Sequence, residues 1–173
     1  HFKALTIDLT ESVIAEAKAF GADLVVSYHP PIFKPLGRLD ANDATQRRII
    51  AALQAGFVVY SPHTALDAAA GGLADWLIHG ALGDDTPDAV HACGDGGYGR
   101  LAELKKPLAF KTLLDRLKAL YGVANLQVAK PAGMKSKVST IAVAAGAGSG
   151  VLRDASADVL VTGEMSHHEG LAA

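Results

Sequence analysis

Three short apolar runs, Leu24-Val25-Val26, Phe57-Val58-Val59-Tyr60 and Val159-Leu160-Val161, are each followed at once by a polar cluster. Runs of this length bounded by turn residues read as buried strands, and Ala4-Leu5-Thr6-Ile7 has the same character. Between them the period becomes helical. Thr10 is placed to cap a helix whose Val13, Ile14, Ala17 and Phe20 share one face, with Gly21 at its C-cap. A second helix is predicted from about 43 to 55, with Ile49, Ile50 and Leu53 inward and Gly56 closing it. Residues 4–60 therefore alternate β-α-β-α-β. Near-continuous apolar strands with short connections predict at least partly parallel pairing through right-handed crossovers.

Beyond Asp67 a glycine turn at Gly71-Gly72 leads into a helix ending near Gly80 or Gly83. Residues 84–99 then become loop-like: Asp84-Asp85-Thr86-Pro87 and Gly94-Asp95-Gly96-Gly97 are turn-forming clusters, and this stretch is the candidate seam between two lobes. Phe110, Leu113, Leu114, Leu117 and Leu120 form a helical stripe closed by Gly122, and strands are expected near Leu126–Val128 and Thr140–Val143.

With 173 residues, 50% hydrophobic and 20% charged, the chain can bury one domain core. A net charge of -2 gives no basic footprint for nucleic acid or anionic membrane. The single Cys93 excludes an internal disulfide framework and a thiolate zinc site, and fits a reducing compartment. No apolar stretch approaches the ~20 residues of a membrane span, and the amino end shows no secretory signal pattern. The start at His1 without Met, and the stop at Ala173 inside a helical pattern, are read as the ends of an internal fragment.

The polar clusters carry the chemistry. In open α/β sheets ligands bind beyond the carboxyl ends of the strands, where these clusters stand. His63 and Asp67 are four apart, so one helical turn points them the same way; imidazole and carboxylate are the usual ligands of zinc, manganese or iron where thiolates are absent. The alternative for Asp67 is a helix cap. His29 stands between Tyr28 and two prolines that stiffen the loop, suiting either a metal ligand or a turn histidine bonded to a carbonyl. Glu164 has the spacing to share a helix face with His167 or His168 in a helix starting after Gly163, although a glutamate there also suits the helix dipole. Ala145-Gly146-Ala147-Gly148-Ser149-Gly150 is a tight glycine turn that lacks the lysine of a nucleotide loop, with anion binding as the alternative. Arg100 is read as a surface ion pair, or as an anion ligand.

Taken together, Asp23-Leu24-Val25-Val26-Ser27-Tyr28-His29-Pro30-Pro31-Ile32-Phe33, Tyr60-Ser61-Pro62-His63-Thr64-Ala65-Leu66-Asp67, Gly97-Tyr98-Gly99-Arg100 and Thr162-Gly163-Glu164-Met165-Ser166-His167-His168 closely resemble the NIF-three-like family, the family of NGG-one-interacting factor three. Its bacterial members are labelled GTP cyclohydrolase I type 2 homologues. The resemblance implies an α/β fold of two related lobes with mixed, partly parallel sheets, spanning residues 1–173. It also implies one or two divalent metal ions in a cleft and a homo-oligomeric, dimer-based ring, commonly a hexamer. Carried over by position, His29 matches the second histidine of the family's His-His-Pro motif and Asp67 its carboxylate ligand. His63 matches the His-Thr residue near the metals, and Glu164, His167 and His168 match a cleft-lining motif. Tyr28 stands where many bacterial members have the first ligand histidine, the form of the eukaryotic-type branch. The family's last ligands, a histidine and a glutamate four residues on, follow beyond Ala173. The expected activity is metal-dependent hydrolysis of a nucleotide-like or phosphorylated small molecule, with Glu164 or His63 assisting proton transfer. The alternatives are a non-catalytic metal-binding scaffold that meets a protein partner in transcription, or metal insertion and trafficking. The expected location is the cytoplasm, with mitochondrial or nuclear passage open.

Overall fold

The computed structural model describes residues 2–172; the ends at His1 and Ala173, read above as cut points, lie outside the described residues. The chain divides into two compact units, His1–His63 and Thr64–Ala173. Among the described residues no helix is long and apolar enough to cross a membrane.

The first unit runs β1 (Phe2–Thr6), α1 (Glu11–Ala19), β2 (Ala22–Ser27), α2 (Ala44–Ala55), β3 (Val58–Tyr60). Its three strands pair in parallel in the order β1-β2-β3, with Leu5 opposite Val26 and Val26 opposite Tyr60. The Thr10 hydroxyl accepts from the Val13 amide, as its predicted N-cap role requires, and the Asp43 carboxylate caps α2 by accepting from the Thr45 and Gln46 amides. Gly56 takes the left-handed conformation (φ 74°) that ends α2. Leu9, Ile14, Ala17, Val25 and Ala52 form the core.

Two expected core residues face water instead: Phe20 is 66% and Leu53 65% exposed. Phe20 is the cap residue past the last turn of α1. In α2 the buried stripe is centred on Ile49 and Ala52, and at 3.6 residues per turn Leu53 lies roughly 70° from that centre.

The second unit runs α3 (Thr64–Ala68), α4 (Leu73–Leu82), β4 (Pro87–Cys93), β5 (Gly99–Ala109), α5 (Phe110–Tyr121), β6 (Lys137–Ala144), α6 (Ser149–Leu152), β7 (Val159–Thr162) and α7 (His167–Ala172). Its sheet has the order β4-β5-β6-β7, antiparallel at the first two pairings and parallel at the last. The central strand β6 is covered on both faces. Ile141 and Val143 join Leu77, Ile78, Leu82, Leu113 and Leu117 of α4 and α5, while Ala142 and Ala144 pack on Leu152 of α6. Helices α4 and α5 approach closely at Gly80, where a Cβ would fall 2.4 Å from Leu120 Cδ2.

Residues 84–99, expected as a loop and lobe seam, hold β4 and a 3-10 turn at Asp95–Gly97. The division between units falls instead at His63 and Thr64. Strand β4 begins at a proline and is mostly exposed, so antiparallel pairing with β5 defines it rather than an apolar run. Residues 126–128, expected as a strand, are irregular; both sides of β6 are taken by β5 and β7.

Leu113 is fully buried, so Leu113→Ala is expected to cost about 3 kcal/mol, the usual range for such truncations. Phe20→Ala, by contrast, should change stability by about 0.5 kcal/mol or less. Urea unfolding followed by circular dichroism tests both, and equal effects would refute this assignment of core and surface.

Candidate functional site

In the first unit the parallel sheet delivers the carboxyl ends of β1, β2 and β3 to one edge. Past β2 the chain is pinned there: the Tyr28 amide donates to the Thr6 carbonyl at 3.0 Å, and the His29 amide to that of Ile7 at 2.9 Å. The fully buried Ser27 hydroxyl donates to the His29 carbonyl at 2.8 Å. Past β3, the His63 amide donates to the Tyr28 carbonyl at 3.1 Å. His63 sits at φ 42°, in the left-handed region, where a side chain other than glycine costs roughly 1 kcal/mol.

These constraints bring two of the expected metal-site residues together. The His29 and His63 rings lie 5.9 Å apart between centroids, with Tyr28 edge-on to His63 at 5.8 Å and Phe33 against His63 at 5.8 Å and 89°. Asp8, just beyond β1, was not singled out in the sequence. Its Oδ1 lies 2.9 Å from His29 Nδ1. With Nδ1–H donated to that carboxylate, Nε2 keeps its lone pair for a Lewis acid. Zinc–nitrogen bonds of about 2.1 Å plus the ring radius let two imidazoles share one ion at centroid separations up to roughly 6.4 Å. Among the described residues no three His, Cys, Asp or Glu side chains are grouped to hold one.

The second unit holds Asp67 and Glu164. Asp67 is buried in α3. The last carbonyl of that helix, Ala68, accepts from Arg100 Nη2 at 3.0 Å. Arg100 makes the expected ion pair, but buried rather than at the surface. It is 7% exposed, its Nε donates to Asp75 Oδ1, and its Nη1 donates to the Gly97 and Gly99 carbonyls, both at 2.9 Å. Asp75 Oδ2 accepts from the Gly71 amide at 2.7 Å. One guanidinium thus ties the α3–α4 turn to the start of β5. The Gly71 amide, followed by Arg100, holds the Asp75 carboxyl below its ordinary 3.8 against the opposing effect of burial.

Glu164 does not lie on a helix. Its amide donates to the Gly146 carbonyl at 2.9 Å, and α7 begins only at His167. Ser166 sets that start. Its amide donates to Glu169 Oε2 at 2.8 Å and its hydroxyl accepts from the Glu169 amide at 3.3 Å, a capping box legible in Ser166-His167-His168-Glu169. The Ser149 hydroxyl, first, and Ser166 pull the exposed Glu169 carboxyl down to about 2. The glycine segment is a tight turn: the Gly148 amide donates to Thr162 Oγ1, which donates to the Gly146 carbonyl. Burial pushes the Cys93 thiol up, away from the thiolate form.

The family model Duf34/NIF3 (NGG1p interacting factor 3) matches residues 4–173. The chain is 41% identical over 179 residues to a protein NIF3 homolog of Schizosaccharomyces pombe, covering 98% of this chain and 64% of that protein. It is 31% identical over 173 residues to a GTP cyclohydrolase 1 type 2 homolog of Clostridium perfringens, covering 95% of this chain and again 64% of the relative. The fold matches reduced HcgD from Methanocaldococcus jannaschii with a TM-score of 0.77, at 24% identity over 98% of this chain and 66% of the other.

The clamp makes a pH-resolved prediction. A carboxyl whose native pKa is depressed contributes stability that is present above its ordinary 3.8 and fades as pH falls through the lower native value. Asp75→Asn is therefore expected to lose about 1–3 kcal/mol at neutral pH, with the deficit shrinking by pH 3. Urea unfolding at pH 7 and pH 3 measures it; the same deficit at both would show that the charge of Asp75 is not what holds the turn.

Proposed function

This chain belongs to the Duf34/NIF3 family, and from that we propose that it is a divalent-metal-binding protein. His29, His63 and Asp67 contribute to a site for one or two zinc, manganese or iron ions that hydrolyses a phosphorylated, nucleotide-like small molecule. The observation that most supports this reading is the His29–His63 pair, with Asp8 on the far nitrogen of His29. When bound, the cation supplies Lewis acidity that acidifies water and screens phosphate charge. His29 presents Nε2, and Asp8 holds the ring in that tautomer. His63, half-buried between Tyr28 and Phe33, takes up the proton at its free ring nitrogen when it is not itself a ligand. Glu164 is the second candidate for that transfer. We extend the reading to a homo-oligomeric, dimer-based ring in the cytoplasm. Cyclohydrolysis of GTP is its narrowest form, taken from the name of the Clostridium relative.

A second reading, a metal-binding interaction protein without turnover, draws support from one face of the first unit's sheet. Leu5, Val58 and Tyr60 stand there 81%, 64% and 58% exposed, an apolar face suited to a protein partner.

Metal analysis by plasma mass spectrometry separates these readings. The full chain is expected to hold one or two equivalents of divalent metal and Asp67→Ala to lose them; no uptake by either protein after reloading would end both metal readings. Asp8→Asn is expected to keep the fold and weaken uptake roughly 10- to 100-fold, as loss of a partner to a ligand histidine does. Nitrogen-15 shifts of the His29 ring would report the altered tautomer directly, and an unchanged tautomer would remove Asp8 from the site. Turnover of phosphorylated substrates in the metal-loaded protein, abolished in Asp67→Ala, distinguishes hydrolase from scaffold.

A further inference from the structure

Beside the histidine pair the first unit carries cationic chemistry that the proposed reaction does not use. An open groove of about 340 Å³ has Asp8, His29, Ile32, Phe33, Lys34 and Arg48 among its lining residues. Arg48 is half-buried on α2, and its donors go to neutral acceptors: the Thr45 hydroxyl at 3.2 Å and, more weakly, the Leu9 carbonyl at 3.5 Å. Its neighbour Arg47 is instead paired with Glu11 at 2.8 Å. Among the described residues, neither Lys34 nor Arg48 lies within ion-pair distance of a carboxylate. The groove therefore carries two cations outside any ion pair beside one carboxylate, Asp8, which faces His29.

Part of its lining is apolar. Phe33 is 72% and Ile32 50% exposed, and the Phe33 ring is braced perpendicular to His63. A ring set in this way offers a surface to a flat ligand group, at little further cost in side-chain freedom. Asp8 is engaged by His29, and the partly desolvated Arg48 guanidinium, with the Lys34 ammonium in the same lining, favours a phosphate in the groove. The size fits one ring with its phosphate, since small-molecule sites span roughly 300–1,000 Å³.

We infer that this groove is a binding subsite for the phosphate monoester of a small aromatic or heteroaromatic molecule. Lys34 and Arg48 hold the phosphate, Phe33 supports the ring, and the remaining end of the ligand reaches toward His29. The inference rests on the hydrolase reading for what happens at His29, but the binding itself needs no metal.

The test is a titration of the nitrogen-15-labelled full chain in EDTA with phenyl phosphate, inorganic phosphate and phenol, read from backbone amide shifts. Phenyl phosphate is expected to bind saturably, with shifts at residues 29–36 and 45–48, and at least tenfold more tightly than either fragment. Lys34→Gln and Arg48→Gln should each weaken phenyl phosphate about tenfold, the loss expected for one charge-assisted contact, and leave phenol unchanged. Phe33→Ala should weaken phenyl phosphate and leave inorganic phosphate unchanged. Arg47→Gln, on the paired arginine, should alter nothing. Each variant's amide spectrum reports whether it is folded. No saturable binding, equal binding of phosphate and phenyl phosphate, or affinity unchanged in both Lys34→Gln and Arg48→Gln would each overturn the subsite. Metal uptake without phenyl phosphate binding removes the groove alone. Phenyl phosphate binding that the variants abolish, in a protein that takes up no metal, removes the hydrolase reading alone.

Discussion

A strand paired on both edges in parallel must end beside the ends of its neighbours, and β2 is in that position between β1 and β3. The residues that follow the three strands, Asp8, His29 and His63, are therefore brought to one edge whatever their separation in the chain. The connection is made in backbone. The amides of Tyr28 and His29 extend the β1–β2 ladder by two further bonds, and the His63 amide extends it toward β3. Ser27 closes the arrangement by spending its buried hydroxyl on the His29 carbonyl. Side chains fixed in this way lose little further freedom on binding a ligand.

The second unit solves a different problem with the same economy. Its short helix α3 has too few turns to be stable by itself, and it carries the buried Asp67. Arg100 supplies the missing restraint by holding the Ala68 carbonyl, while Asp75 holds Arg100 and the Gly71 amide together. A buried arginine with one carboxylate and three carbonyls is satisfied as a unit, and removing one member strands the others.

Much of this was legible in the sequence, because residues 4–60 have caps and apolar periods that agree with each other: Thr10, Asp43 and Gly56 mark helix ends that the structure places where expected. The β4–β5 hairpin was not legible in the same way. Ala102 and Leu104 face the core, but Glu103 stands between them, Arg100 before them and Lys105 after, so the apolar run is too broken to stand out without its partners. Arg100 illustrates the limit: an arginine among glycines reads as surface, and only its distant partners, the Asp75 carboxylate and the Ala68 carbonyl, explain its burial. Asp8 was overlooked as a lone carboxylate, although it follows β1 as His29 follows β2. Glu164 was assigned to a helix that the Ser166 and Glu169 capping box starts three residues later, and that signature was present in the sequence.

The pairing of Asp8 with His29 also bears on the Tyr28 variant of the motif. Tyrosine at that position removes one imidazole from the edge, and the ring it puts in place packs on both histidines, with centroids at 5.0 and 5.8 Å. Packing of that kind orders the imidazoles without taking His29 out of water, since its side chain is 48% exposed. Tyr28 therefore shapes this edge by packing on the two imidazoles rather than by adding a third.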